Sequence, residues 1–307
     1  MEYRNCFLIS KTVAGCLIAV SFGGCSVFRN TAVDEHVAVS RELTLQGLAA
    51  SYDKDEQQAK TLFSSAVHSD PDNVEARMLL AESYRNRRQL QAAIEQLEEC
   101  IRIDSENVEV TCKLGECYAD SNQPEHAYRL AQLALRKDRQ SVSGWKLKAQ
   151  TLWQLGQKTQ ALAAYQRALR IAPNNQELRK EMVILYQELG KPLRALTTLD
   201  KIANEFDDEE IPETILLQQS LLLQQLDRNS EALVRLELGY TRGDYSEELA
   251  EAYVTALVRE NHMDKAKTVL TLAATRFPQG QKLAQLQSRL PDLNFTGSDQ
   301  PTATTLR

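Results

Sequence analysis

The chain has 307 residues, with 36 Lys and Arg against 42 Asp and Glu for a formal net charge of −6, which disfavours a nucleic-acid binder working through a strongly basic surface. Hydrophobic residues at 43% and charged residues at 25% are ordinary for a folded protein and exclude a disordered chain. Only 12 Gly and 8 Pro interrupt long stretches of Ala, Leu, Gln, Glu and Arg, all good helix formers, so the expected fold class is all-α.

Residues 1–24 differ from the rest. Arg4 and Lys11 supply a positive start, Thr12 to Phe22 form an uncharged apolar run, and Gly23-Gly24-Cys25 follows. The run falls short of the ~20 residues a membrane-spanning helix needs, so the segment reads as an export signal. Ser21-Phe22-Gly23-Gly24-Cys25 resembles a bacterial lipobox, in which small residues precede the cysteine that becomes the lipidated N-terminus. Val13-Ala14-Gly15-Cys16 is similar in isolation, but Lys11 would interrupt its apolar run, so Cys25 is the expected lipidation site. Ser26 after that cysteine implies, by the same resemblance, a periplasm-facing outer membrane rather than an inner one. The expectation is therefore a signal peptide over 1–24, a lipidated tether over 25–39 and a place in the bacterial cell envelope. An uncleaved anchor or plain secretion remains the alternative. Without residues 1–24 the net charge is −7, so charge alone should not hold the chain to anionic lipid.

From Ser40 the sequence repeats. Alanines recur at Ala59, Ala93, Ala127, Ala161, Ala195, Ala232 and Ala266, spaced by 34 residues except for one step of 37. Gly47, Ala81, Gly115 and Ala149 stand twelve residues earlier, where two helices crossing closely need a small side chain. Phe63, Leu97, Tyr165, Leu199, Leu236 and Leu270 stand four residues later, and Ala66, Cys100, Ala134, Ala168 and Ala273 seven later. Each unit carries apolar residues at helical spacing in both halves, with a Gly, Asn or Asp turn between, as in Asp120-Ser121-Asn122, Gly156-Gln157-Lys158 and Gly190-Lys191. Two short helices joined in this way form an αα-hairpin, and stacked hairpins share a continuous core. The units read 40–73, 74–107, 108–141, 142–175, 176–212, 213–246 and 247–280, with the extra three residues of the fifth falling within Asp207 to Pro212. Leu283, Leu286 and Leu290 suit a capping helix over 281–290, and 291–307 reads as a disordered tail.

No chemistry-bearing constellation accompanies the repeats. His36, His68, His126 and His262 are scattered, and no phosphate-binding glycine loop, zinc-binding helix or nucleophile elbow is present. Cys100, Cys112 and Cys117 are an odd set without C-x-x-C spacing, which points to small buried hydrophobes. The expectation is a protein that is not an enzyme, with no catalytic residue, cofactor, metal or small-molecule substrate.

The register, including Trp145, Ala149, Ala161, Tyr165, Ala168 and Pro173 in 142–175, resembles that of the tetratricopeptide repeat (TPR) family. A lipobox followed by such an array is similar in layout to envelope lipoproteins of the PilF, PilW and NlpI types. The resemblance implies an α-solenoid of about seven repeats whose first helices line a groove, at the second, fifth, ninth, twelfth and thirteenth positions of each unit. Among those positions are Tyr52, Arg85, Glu116, Lys146, Gln150, Trp153, Gln154 and Gln187, the candidate partner-binding residues. Five of the full set are basic and nine acidic, so the groove should not favour acidic peptides or nucleic acid. Thr44 and Leu48 stand where the chaperone-binding TPR clamp has its first Lys and Asn, so that role is not expected. Trp153 is the apolar anchor of the middle groove if it stands free, or a core residue if it packs against a neighbouring helix. The implied function is a membrane-tethered scaffold that binds a peptide or helix of another envelope protein during pilus, secretin or cell-wall assembly. Glycan binding and self-assembly are the alternatives.

Overall fold

The computed structural model describes residues 24–289, with side chains from 35 to 288. Residues 1–23, most of the expected signal peptide, and residues from 290 on, which include the expected disordered tail, lie outside the described residues, as does the side chain of Cys25. All regular structure among the described residues is helical. None of these helices is long and apolar enough to cross a membrane.

The chain falls into two compact units that divide between Ser121 and Asn122. The first holds α1 (Gly24–Tyr52), α2 (Glu56–Ser69), α3 (Val74–Asn86), α4 (Leu90–Ile103) and α5 (Val108–Asp120). The second opens with α6 (Pro124–Lys137), α7 (Val142–Gln154), α8 (Lys158–Ile171), α9 (Gln176–Glu188) and α10 (Pro192–Ala203). It continues with α11 (Glu213–Gln225), α12 (Asn229–Thr241), α13 (Glu247–Arg259), α14 (Met263–Arg276) and α15 (Gln281–Arg289).

The 34-residue register is a packing register. All seven recurrent alanines, from Ala59 to Ala266, are at most 1% exposed, and those whose hairpin lies within one compact unit sit where the two helices of that hairpin meet. Gly47 shows how tight the crossing is: a Cβ there would come within 2.5 Å of the Phe63 ring. Each hairpin turn passes through one residue with positive φ, and these fall at Lys54, Arg88, Asn122, Gly156, Gly190, Asp227 and Asn261, on the same spacing as the alanines. The first helices α3, α5, α7, α9 and α13 are capped by Asn73, Asn107, Ser141, Asn175 and Ser246, whose side chains accept a backbone N–H of the first turn.

The segment expected as a tether, residues 25–39, is helical and belongs to the first half of α1. Nothing from Ser26 to Gln46 is Gly or Pro, and α1 is tied to α2 where Ser40 Oγ donates to the Ala66 carbonyl at 2.9 Å and Ser69 Oγ to that of His36 at 3.1 Å. The backbone of the insertion before α11 is held by Arg242, which donates to the carbonyl of Ile211 at 2.5 Å and to that of Asp208, while its acidic side chains are exposed. α11 has no side-chain N-cap, its capping position being Pro212. Cys100, Cys112 and Cys117 are buried and unbonded to one another.

Candidate functional site

The candidate residues lie on the first helices of the hairpins, and most of them join neighbouring repeats. In the first unit, Arg85 on α3 donates to Glu116 at 2.5 Å and to Asp120 at 2.6 Å, both on α5, while Lys113 of α5 reaches back to Glu82 at 3.0 Å. In the second unit, Lys146 on α7 meets Glu177 on α9 at 2.7 Å, and Gln150 Nε2 donates to Glu181 at 2.9 Å. Trp153 Nε1 donates to Glu188 at 2.8 Å, and Arg259 of α13 donates to Gln224 of α11 at 2.6 Å. Every one of these pairs is 31 or 35 residues apart. One repeat is 34 residues, so the partners sit three residues before or one residue after the equivalent position on the next first helix. Stacked first helices place those positions side by side, and the polar side chains form rungs across the repeats.

Trp153 packs against its neighbours but is not closed off from solvent. Its ring is partly buried and packs against a core that runs from α7 to Ala232 on α12, while its indole N–H faces outward to Glu188. Lys158, donating at 3.0 Å, and then Trp153 hold the Glu188 carboxyl below its usual range. Trp153 is thus a fixed wall of the surface and not a free anchor. Gln154 ends α7 and Gln187 lies near the end of α9, both exposed.

The free apolar surface is elsewhere. Ile184 on α9 is 47% exposed and Leu221 on α11 is 56% exposed, both at the ninth position of their units. In the first unit Leu48, at the same position of α1, is 38% exposed, and Tyr52 one turn on is 90% exposed. The position that carries Gln150 or Glu116 in the rung-forming repeats thus carries an open hydrophobe in these. Residue type at the ninth position was the signal that could have found them: Leu, Ile and Leu interrupt a series otherwise polar.

No group of three His, Cys, Asp or Glu side chains among the described residues could hold a metal ion. Burial pushes the Cys100 and Cys117 thiols up to about 11, so both stay neutral and poorly nucleophilic at neutral pH.

Two family models for the tetratricopeptide repeat match the sequence, one over residues 44–108 and the other over 86–151 and 152–212, together more than half of the chain. No curated protein sequence matches it. Among solved structures, a thermophilic TPR protein of Thermus thermophilus is 19% identical with a TM-score of 0.53, over 60% of this chain and 99% of its own. A tetratricopeptide repeat protein of Parabacteroides merdae is 14% identical with a TM-score of 0.51, over 82% and 98%. PilW, a type IV pilus biogenesis factor, is 17% identical with a TM-score of 0.49, over 81% and 98%. At these identities the first two likenesses establish the fold alone.

Proposed function

Since the chain belongs to the tetratricopeptide repeat family, whose members bind other proteins and are generally non-enzymatic, we propose that it is a protein-binding scaffold lipid-anchored at Cys25 in a bacterial envelope membrane. The observation that carries the binding role is the pair Ile184 and Leu221. They are exposed hydrophobes at equivalent places on α9 and α11, in a surface where Glu177, Glu181 and Glu188 of α9 are already bonded to α7. A peptide or short helix with apolar side chains would bury them without breaking a rung, with exposed Gln187 at hand for its backbone. The anchor rests on the lipobox-like Gly23-Gly24-Cys25. The layout of signal, lipidated cysteine and repeat array supports a task in holding an envelope assembly together, such as a pilus, a secretin or a cell-wall complex.

A crosslinked pull-down from native membranes tests the reading with three chains: wild type, Ile184→Ser with Leu221→Ser, and Cys25→Ala. A defined set of envelope proteins should be captured by wild type and lost from the double variant, while Cys25→Ala should leave the membrane fraction. An identical set from the double variant would remove this surface as the binding site. Recovery of the chain alone would turn the reading to self-assembly through the same residues.

A further inference from the structure

The other side of α7 carries a surface of opposite character. At ~100° per residue, Lys148 stands about 140–160° round the helix from Lys146, Gln150 and Trp153, and Trp145 about 80–140°. There, Arg136 at the end of α6, Arg139 in the α6–α7 connection, Lys148 on α7 and Arg167 on α8 surround an open depression of about 560 Å3, floored by Trp145 and Leu135. No carboxylate lines it, and none of the four cations has an acidic partner among the described residues. Asp138, the nearest acid in sequence, accepts the backbone N–H of Gln140 at 2.8 Å.

The repeat register shows how unusual this is. At the position of Lys148 five of the other six units place Leu80, Leu114, Met182, Gln219 and Tyr253, all buried, and the first places exposed Gln46. Here the ammonium instead lies 5.1 Å from the Trp145 ring centre and 6.0 Å from that of Tyr128. Arg139 stands where Pro71, Pro173 and Pro278 close other units. Arg77 and Arg179 spend their guanidinium groups on the carbonyls of Pro71 and Pro173. The uncharged indole of Trp145 makes the equivalent bond to Arg139 O at 3.0 Å, and the guanidinium-bearing side chains of Arg136, Arg139 and Arg167 are exposed. Gly144 admits the floor, since a Cβ there would lie 3.1 Å from the Leu135 methyl.

We propose that this depression binds an acidic peptide segment of a partner protein, with Arg136, Arg139 and Arg167 pairing its carboxylates and Trp145 with Leu135 receiving an apolar side chain between them. Arginine forks match carboxylates in bidentate geometry. The apolar floor calls for an apolar group that inorganic phosphate lacks. The open mouth suits a chain running across rather than an engulfed small molecule. In a chain of net charge −6, an unpaired basic cluster also gives an acidic segment one place to be drawn to.

The test is fluorescence anisotropy of a labelled seven-residue peptide, Asp and Glu around a central Phe, titrated with the full chain in detergent. Its Asn and Gln analogue and vesicles containing phosphatidylglycerol serve as the other probes. The acidic peptide should bind, should weaken with added salt, and should lose at least about tenfold in affinity on Arg136→Glu with Arg139→Glu, and again on Arg167→Glu. These side chains are exposed, so an unchanged circular dichroism melt accompanies the loss. Ile184→Ser with Leu221→Ser should leave this binding intact, which separates it from the α9–α11 surface. Equal affinity for the neutral analogue, indifference to the charge reversals, or vesicle binding through these arginines without peptide binding would each overturn the proposal.

Discussion

Replacing Gly47 by Ala sets two known effects against each other. In an exposed helix interior the change stabilises by about 1 kcal/mol, since Ala is the best helix former and Gly among the worst. At Gly47 the new methyl would stand 2.5 Å from Phe63 Cε1, 2.6 Å from Cδ1 and 3.1 Å from Cζ, where carbon contacts settle near ~3.5–4 Å. Phe63 is buried and packed with Ala50, Ala59 and Leu80, so its ring has nowhere to swing, and overpacking of this kind costs about 1–3 kcal/mol. The packing term exceeds the propensity term, and Gly47→Ala should destabilise by about 1 kcal/mol. In a Phe63→Leu background the crowding is relieved and the same change should be neutral or stabilising, a coupling of about 1 kcal/mol or more. Urea unfolding followed by far-UV circular dichroism measures the change. Hydrogen exchange of α1 and α2 amides locates it, because a repeat array need not unfold in one step. A stabilised Gly47→Ala protein with Phe63 intact would refute the account of the register as a close-crossing register.

Gly156 has φ +75 and nothing within 4 Å of its missing Cβ, so Gly156→Ala should cost about 1 kcal/mol of pure backbone strain; Arg88→Gly, relieving a φ of 59°, should raise the melting temperature. Asn175 Oδ1 accepts Leu178 N–H at 3.0 Å, so Asn175→Ala should cost about 1 kcal/mol while Asn175→Asp retains the cap, both read by thermal melting. The Cys100 and Cys117 thiols, ordinarily near 9, are raised by burial to about 11; they add stability that is full below pH 9 and lost as pH rises through 11, on the order of 2 kcal/mol per thiol. Cys100→Ala with Cys117→Ala should therefore flatten the fall in urea midpoint between pH 9 and 11, and an unaltered slope would assign that fall to the buried tyrosines instead.

The helices and their pairing were legible because small residues repeat. A buried alanine every 34 residues leaves a periodic trace in the chain, and Ala93, Ala127 and Ala161 are each wholly buried. Turns at Asn122, Gly156, Gly190 and Asp227 were legible for a similar reason, since those residue types tolerate positive φ. Lys54 was not, because the two flanking helices impose the same backbone on a residue that does not prefer it. The full length of α1 was not legible because its first half departs from the repeat, although its lack of Gly and Pro from Ser26 to Gln46 permits a helix. The rungs were hidden more deeply. A pair separated by 31 or 35 residues makes sense only once the stagger between successive first helices is known, and a list of facing positions contains no stagger.

That stagger changes what the surface offers a partner. Counted one by one, the facing positions amount to a net acidic groove, and the sequence reading used that charge to disfavour acidic peptides and nucleic acid. In the folded protein Arg85 is bonded to Glu116 and Asp120, Lys146 to Glu177, and Trp153 and Lys158 to Glu188, so much of that charge is spent between repeats. A partner competing for these groups would have to break bonds to form bonds, with little net gain. Burying Ile184 and Leu221 breaks nothing and removes apolar area from water at about 25 cal/mol per Å2. Affinity on this surface should follow the apolar ninth positions, and the rungs should set the spacing at which those positions are presented. On the opposite side of α7 the logic inverts: Arg136, Arg139 and Arg167 are unpaired, so charge there is unspent and becomes the recognition signal. Salt should therefore separate the two surfaces, weakening capture at the basic depression while leaving capture by Ile184 and Leu221 nearly unchanged.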